Sequence, residues 1–243
     1  MSDPESKRGG SAGADEPRGA VLFDVDGTLV DTTYLHTVAW WQAFRGAGIT
    51  VPMAAIHRAI GMGSDHLLER LLGGDRDKEA DAGLSAAHGA LFSQYGPALV
   101  PLDGAAHLLR ACHKRGWRVV LASSAQAAEL SVMREALDAE EYIDDVTGAD
   151  DVESSKPAPD LVQQALKRAG VPAGRAVFVG DTRWDVEASA RAGVACVGFL
   201  SGGWSPAEMV AAGAVEVYDG PADLLAVLDA SVLAAPGQTP APR

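Results

Sequence analysis

The chain has 243 residues, 47% hydrophobic and 22% charged, ordinary for a globular fold and long enough for one large domain or a core with a smaller companion. Asp and Glu outnumber Lys and Arg by 33 to 20, and a formal charge of −13 repels phosphate backbones, which argues against nucleic acid as a partner. No segment is apolar over the length a bilayer requires, so no membrane span is expected.

Residues 1–19 are rich in Gly, Ser, Asp and Glu and lack the apolar stretch of a signal peptide, so they read as a disordered leader. Folded sequence begins at the apolar run Ala20-Val21-Leu22-Phe23, a strand ending in Asp24-Val25-Asp26-Gly27-Thr28. From Thr32 to Val100 the pattern is helical, over Tyr34–Ala47, Ala54–Ile60, Ser64–Leu72 and Lys78–Tyr95, with no convincing strand. That is too long for a single crossover, and it is expected to be a small helical domain, residues 32–100, inserted into a core of 20–31 and 101–234.

Beyond Pro101, helical segments Asp103–Arg115, Ala125–Leu137, Ala158–Ala169 and Asp185–Ala192 alternate with apolar runs Trp117–Ala122, Ala176–Val179 and Ala195–Leu200. Strands apolar nearly throughout are covered on both faces, and their alternation with helices implies right-handed crossovers and a parallel sheet of Rossmann-like α/β type. Asp145–Gly148 and Val215–Tyr218 are candidate further strands, and 235–243 reads as a disordered tail. Cys112 and Cys196 lie among aliphatic or small residues with no Cys-x-x-Cys, so reduced thiols of a cytoplasmic protein are expected rather than zinc or a redox pair.

Open parallel sheets bind ligands at the carboxyl ends of their strands. Here those ends carry Asp24 and Asp26, Ser123 and Ser124, and Gly180-Asp181 with Asp185 four residues on, while Lys156 precedes a proline and a helix. Carboxylates without clustered His or Cys favour a hard cation, Mg²⁺ before zinc. A carboxylate beside such an ion can attack phosphorus, a second can protonate the leaving oxygen and then activate water, and Ser123 and Lys156 can hold phosphoryl oxygens. Gly27 supplies the backbone freedom that aims Asp24 and Asp26 together.

In order and spacing these elements resemble the haloacid dehalogenase superfamily. Its DxDG[TV] motif matches Asp24–Thr28, its Ser or Thr after a strand matches Ser123, its Lys before Pro matches Lys156, and its GDxxxD matches Gly180, Asp181 and Asp185. The resemblance implies a Rossmann-like core with an inserted helical cap, Asp24 as nucleophile and Asp26 as general acid/base. It also implies Mg²⁺ on Asp24, the Asp26 carbonyl and Asp181, with Asp185 a direct or supporting ligand. Asp26 disfavours dehalogenation, whose enzymes lack it.

Asp31-Thr32 with His36, Ala39 and Trp40 is similar to beta-phosphoglucomutase, where the corresponding His positions the acid/base. Ser124-Ala125, where that family has a Lys-Asn pair, departs from it, and Gly180–Asp185, in place of its Glu-Asp motif, resembles the form usual in phosphoglycolate phosphatase-like enzymes. The expected function is therefore hydrolysis of a small phosphorylated metabolite, with phosphomutase and a non-catalytic phosphate-binding protein as alternatives. The loop Gly61-Met62-Gly63-Ser64, with His36, is the candidate for substrate choice, its two glycines allowing backbone to approach a ligand. Monomer and homodimer are both compatible with the sequence.

Overall fold

The computed structural model describes residues 18–237. The expected leader and tail therefore lie outside the described residues except for their inner ends. At one of these, Gly19 is buried and its carbonyl accepts from the Arg118 N–H at 3.0 Å, so sheet-like order begins one residue before the apolar run.

Six parallel strands form one sheet: β1 (Ala20–Phe23), β2 (Arg118–Ala122), β3 (Asp145–Thr147), β4 (Ala176–Gly180), β5 (Ala195–Phe199) and β6 (Glu216–Tyr218), in the order β3-β2-β1-β4-β5-β6. The order reverses at β1, which lies between β2 and β4 in register Phe23↔Leu121 and Phe23↔Val179. This reversal opens a crevice beyond the carboxyl ends of β1, β2 and β4.

Ten α-helices accompany the strands among the described residues. Between β1 and β2 come α1 (Thr33–Gly46), α2 (Met53–His57), α3 (Ser64–Leu72), α4 (Asp81–Ser93) and α5 (Ala105–Lys114). Between β2 and β5 come α6 (Ala127–Leu137), α7 (Asp160–Ala169) and α8 (Arg183–Arg191), and the rest are α9 (Pro206–Ala212) and α10 (Pro221–Ala226).

The strand pleat decides which layer each side chain joins. Val21 and Phe23 of β1 pack with Leu108, Leu109, Met133 and Leu224, from α5, α6 and α10. Ala20 and Leu22 face the other way, against Leu161 and Val162 of α7, Val186 of α8 and Met209 of α9. Both faces are covered, so the strands tolerate apolar residues at every position. The sequence pattern expected this, with boundaries that shift by one to three residues at element ends.

Helices α1 to α4 gather a third cluster of their own, in which Trp40, Phe44, Ile56, Leu67, Leu68 and Leu84 are buried. The two strands of chain joining this insertion to the sheet run side by side. Asp31 N–H donates to Val100 O at 3.0 Å and Leu102 N–H to Leu29 O at 2.9 Å. The segment expected as one helix over Lys78–Tyr95 divides into a short 3-10 turn, Lys78–Ala80, and α4.

Candidate active site

The turn after β1 is built on Val25. Its side chain is buried in the core beneath α5, while its carbonyl accepts from Leu29 N–H at 2.9 Å and Val30 N–H at 3.1 Å. With Val25 pinned inward, the two aspartates flanking it are directed to different neighbours. Gly27 closes the turn at φ 72°, and a Cβ there would sit 2.1 Å from Asp181 Oδ2, so both conformation and space demand glycine.

Asp24 is 3% exposed. Its Oδ1 accepts from Lys156 Nζ at 2.5 Å and its Oδ2 from Thr28 Oγ1 at 3.3 Å. Lys156, 1% exposed, also lies 2.7 Å from Asp185 Oδ1. Thr28 and Thr33 hydroxyls donate to Asp181 at 3.1 and 3.3 Å. Carboxylate oxygens of Asp24, Asp181 and Asp185, all three buried, lie within 4.8 Å of one another, an arrangement able to hold a metal ion. Asp26 joins this group by sequence but not by side chain, which turns away from it.

Burial, reinforced by the charges of Asp185 and Asp26 and only partly offset by Lys156, pushes the Asp24 carboxyl up to about 7. Asp181 is raised well above the usual carboxylate range by burial and then by Asp185 and Asp24. Lys156 moves the same way: burial opposes its charge, but Asp185 and Asp24 outweigh it. Negative charge is thus in excess in a dry site.

Asp26 has the opposite character. Burial works against its ionised form, but His36, Thr32 and Ser123 outweigh that and hold the carboxyl low. His36 Nε2 lies 2.7 Å from Asp26 Oδ1, Thr32 Oγ1 donates to the same oxygen at 2.9 Å, and Ser123 Oγ donates to Oδ2 at 3.2 Å. His36 is correspondingly raised, Asp26 overcoming the effect of burial.

Behind it, His36 Nδ1 meets His88 Nε2 at 3.0 Å, and His88 Nδ1 faces Glu129 Oε1 at 3.9 Å. Burial, then the His36 charge, depress His88 to about 3, so it is neutral near pH 7. A chain of titratable groups therefore runs from the β1 turn through α1 and α4 to α6.

Of the residues expected at the site, Asp24, Asp26, Ser123, Lys156, Asp181 and Asp185 all meet at this sheet edge. His36 contacts Asp26. Ser124 Oγ is buried with no hydrogen-bond partner among the described residues and lines the same cavity, as do Gly61, Met62 and Ser64.

The loop glycines also meet protein. A Cβ at Gly61, whose φ is 95°, would meet the Thr182 side chain at 2.7 Å, and one at Gly63 would meet Ser155 Cβ at 2.4 Å. These glycines let the insertion close onto the sheet edge, and both also line the cavity beside Asp24 and Asp26. Sequence reasoning did not assign Thr28, Thr32, Thr33, His88 or Glu129. Thr28 stood inside a quoted motif, whereas His88 lies 52 residues from His36 with no local pattern to join them.

Among the described residues no helix is long and apolar enough to cross a membrane, and Cys112 and Cys196 are buried free thiols. The family model for haloacid dehalogenase-like hydrolases matches residues 19–193. The phosphoglycolate phosphatase of Salmonella typhimurium is 32% identical, the alignment covering 86% of this chain and 91% of that protein. The phosphoglycolate phosphatase of Pseudomonas fluorescens is 28% identical, covering 75% and 69%.

Among solved structures, a hydrolase from Pseudomonas syringae is similar with a TM-score of 0.83 and 34% identity, covering 87% of this chain and 98% of that one. CbbY from Rhodobacter sphaeroides, in complex with phosphate, matches with a TM-score of 0.70 and 27% identity, covering 87% and 99%.

Proposed function

Because the chain belongs to the haloacid dehalogenase-like hydrolase family and is a phosphatase, we propose that it cleaves a small phosphate monoester by passing the phosphoryl group to Asp24 and then to water. The observation that carries this reading is the setting of Asp24: a buried carboxylate at a central strand end, 2.5 Å from Lys156 Nζ and clustered with Asp181 and Asp185.

The donor set fits Mg²⁺. Three buried carboxylates share one ammonium, no His or Cys joins them among the described residues, and the raised proton affinities of Asp24 and Asp181 mark a charge excess that a hard divalent cation would relieve. Asp24, Asp181 and the Asp26 main-chain carbonyl would hold the ion. Asp185 supports them by fixing Lys156 and through its bonds to Thr182. Bound there, Mg²⁺ supplies neutralisation of the charge that develops on the transferring phosphoryl group.

The side chains divide the remaining work. An Asp24 oxygen attacks phosphorus, the bond to the ester oxygen breaks, and that oxygen takes a proton from Asp26. The proton is held across the Asp26–His36 contact of 2.7 Å, where His36 can refill the carboxyl. Lys156 and the unpaired Ser124 hydroxyl receive phosphoryl oxygens, while Ser123, bonded to Asp26, also orients the acid. Asp26 then takes a proton from the attacking water, and Asp24 and inorganic phosphate are released.

The test is hydrolysis of p-nitrophenyl phosphate. Turnover is expected with Mg²⁺, lost in EDTA, and lost in Asp24→Asn, whose shape is preserved. Full activity in EDTA, or substantial activity of the Asn variant, contradicts the proposal.

A further inference from the structure

The cavity above Asp24 and Asp26 is walled by α1, α3, α4 and α6 as well as by the sheet edge, and its charges are unevenly distributed. Asp24, Asp26 and Glu129 all line it, and among the described residues no Arg or Lys side chain does. The nearest ammonium, Lys156, is 1% exposed and held at 2.5 Å by Asp24 and at 2.7 Å by Asp185. His36 is tied to Asp26.

Glu129 is therefore the charge that faces whatever occupies the outer part of the cavity. Burial raises the Glu129 carboxyl, and the charge of His36, already paired with Asp26, offsets this only in part, while its neighbour His88 is held neutral near pH 7. The other polar groups there, Ser64, Ser85 and Gln126, are neutral hydrogen-bonding side chains.

From this lining we infer that the leaving group carries no negative charge and ends in hydrogen-bond donors. The substrate is the phosphate ester of a polyol or amino alcohol, not of a hydroxy acid, and not a bisphosphate. A carboxylate or second phosphate in this cavity would be desolvated beside Glu129 with no cation to receive it but His36, which Asp26 already holds, and a buried like-charge contact is unfavourable. A hydroxyl or ammonium terminus can instead donate to Glu129, Gln126 and the serines. A site built for donors rejects an analogue that lacks them, because its own polar groups are left unpaired.

Glu129 has a second duty as the third residue of α6. Its carboxylate stands close to the Gln126 main chain, which favours the ionised form. Glu129→Gln keeps the shape and a side-chain oxygen at this helix start and removes only the charge.

This inference rests on the phosphatase reading above, and three two-carbon esters separate the two. Hydroxyethyl phosphate, phosphoethanolamine and phosphoglycolate differ only in a hydroxyl, ammonium or carboxylate terminus. With Mg²⁺ present, kcat/KM for each of the first two is expected to exceed that for the third by at least about 10-fold. Glu129→Gln is expected to narrow the hydroxyl-to-carboxylate ratio severalfold and to lower the ammonium ester relative to the hydroxyl one.

If the carboxylate ester is turned over as fast as the others, or if Glu129→Gln leaves the ratios unchanged, the inference falls and the phosphatase reading stands. The same holds if p-nitrophenyl phosphate is hydrolysed but none of the three is. If none of the four compounds is hydrolysed, both fall.

Discussion

Asp24 and Asp26 are separated by one residue and differ in proton affinity because their partners differ. Asp24 is buried among other carboxylates, and a single ammonium does not balance them. Asp26 is surrounded by a cationic imidazole and two hydroxyl donors. In the proposed reaction the first is a carboxylate that a metal would free for attack, and the second would exchange a proton with its neighbour.

A pH dependence follows. With the Asp24 carboxyl at about 7, the metal-free protein carries a proton there below that pH, and a ligand must lose its proton to bind. Mg²⁺ affinity is therefore expected to rise by at least about 10-fold between pH 6 and pH 8, with proton release on binding at the lower pH. Titration calorimetry at the two pH values in buffers of different ionisation heat measures both quantities. Equal affinities would show that Asp24 is not a titrating ligand.

The elements that place these residues were legible to different degrees. The strand ends were readable because covered parallel strands leave long apolar runs, and the first polar residue after each run marks the edge: Asp24, Ser123, Asp181. Where contacts cross between elements distant in sequence, the chain gives no local sign. The approach of α4 to α1 pairs His88 with His36 and stacks its ring on Trp40 at 4.4 Å, and no periodicity could foretell it. The packing of Gly61 and Gly63 was hidden for the same reason, since Thr182 and Ser155 become their neighbours only when the insertion folds back.

Helix α8 shows local and distant demands on one residue. Thr182 Oγ1 accepts the Asp185 N–H at 3.3 Å, while Asp185 Oδ2 takes both the Thr182 N–H at 3.0 Å and its hydroxyl at 2.6 Å. The other Asp185 oxygen faces Lys156. Thr182→Ala is expected to cost about 1 kcal/mol from the lost cap, and to lower Tm by about 2–4 °C in a chain of this size. It should also reduce activity, because Asp185 loses a bond that orients it. A variant with lower Tm and unchanged activity would show that the cap is structural alone.

At the scale of the molecule, the acidic chain needs its few cations in particular places, and several join the insertion to the sheet. Arg58 of the segment after α2 pairs with Glu208 of α9 and lies over the Trp204 ring at 3.9 Å, and Arg70 of α3 lies over Trp184 at 4.9 Å. His57 bonds the Gly202 carbonyl at 3.0 Å, and the Gly63 N–H donates to Ser155 Oγ at 3.0 Å. The insertion is thus closed over the crevice. It would act as a lid that excludes water during phosphoryl transfer and admits it afterwards, its hinges at the paired crossings Val30–Thr32 and Leu99–Asp103.

Lid and core then have separable effects. Substitution of Met62 is expected to reorder substrates by about 1–3 kcal/mol in kcat/KM, whereas Asp26→Ala depresses every substrate by about 10²–10⁴-fold. If the lid variant scaled all esters equally, the loop would not read the leaving group.

The central claim is that Asp24 carries the phosphoryl group in mid-reaction. An aspartyl phosphate trapped by acid during turnover and reduced with borohydride becomes homoserine, which peptide mass spectrometry locates. Conversion at Asp24, requiring both Mg²⁺ and substrate and absent at Asp26, is the expected result. Turnover without conversion, or conversion at Asp26 instead, would contradict it.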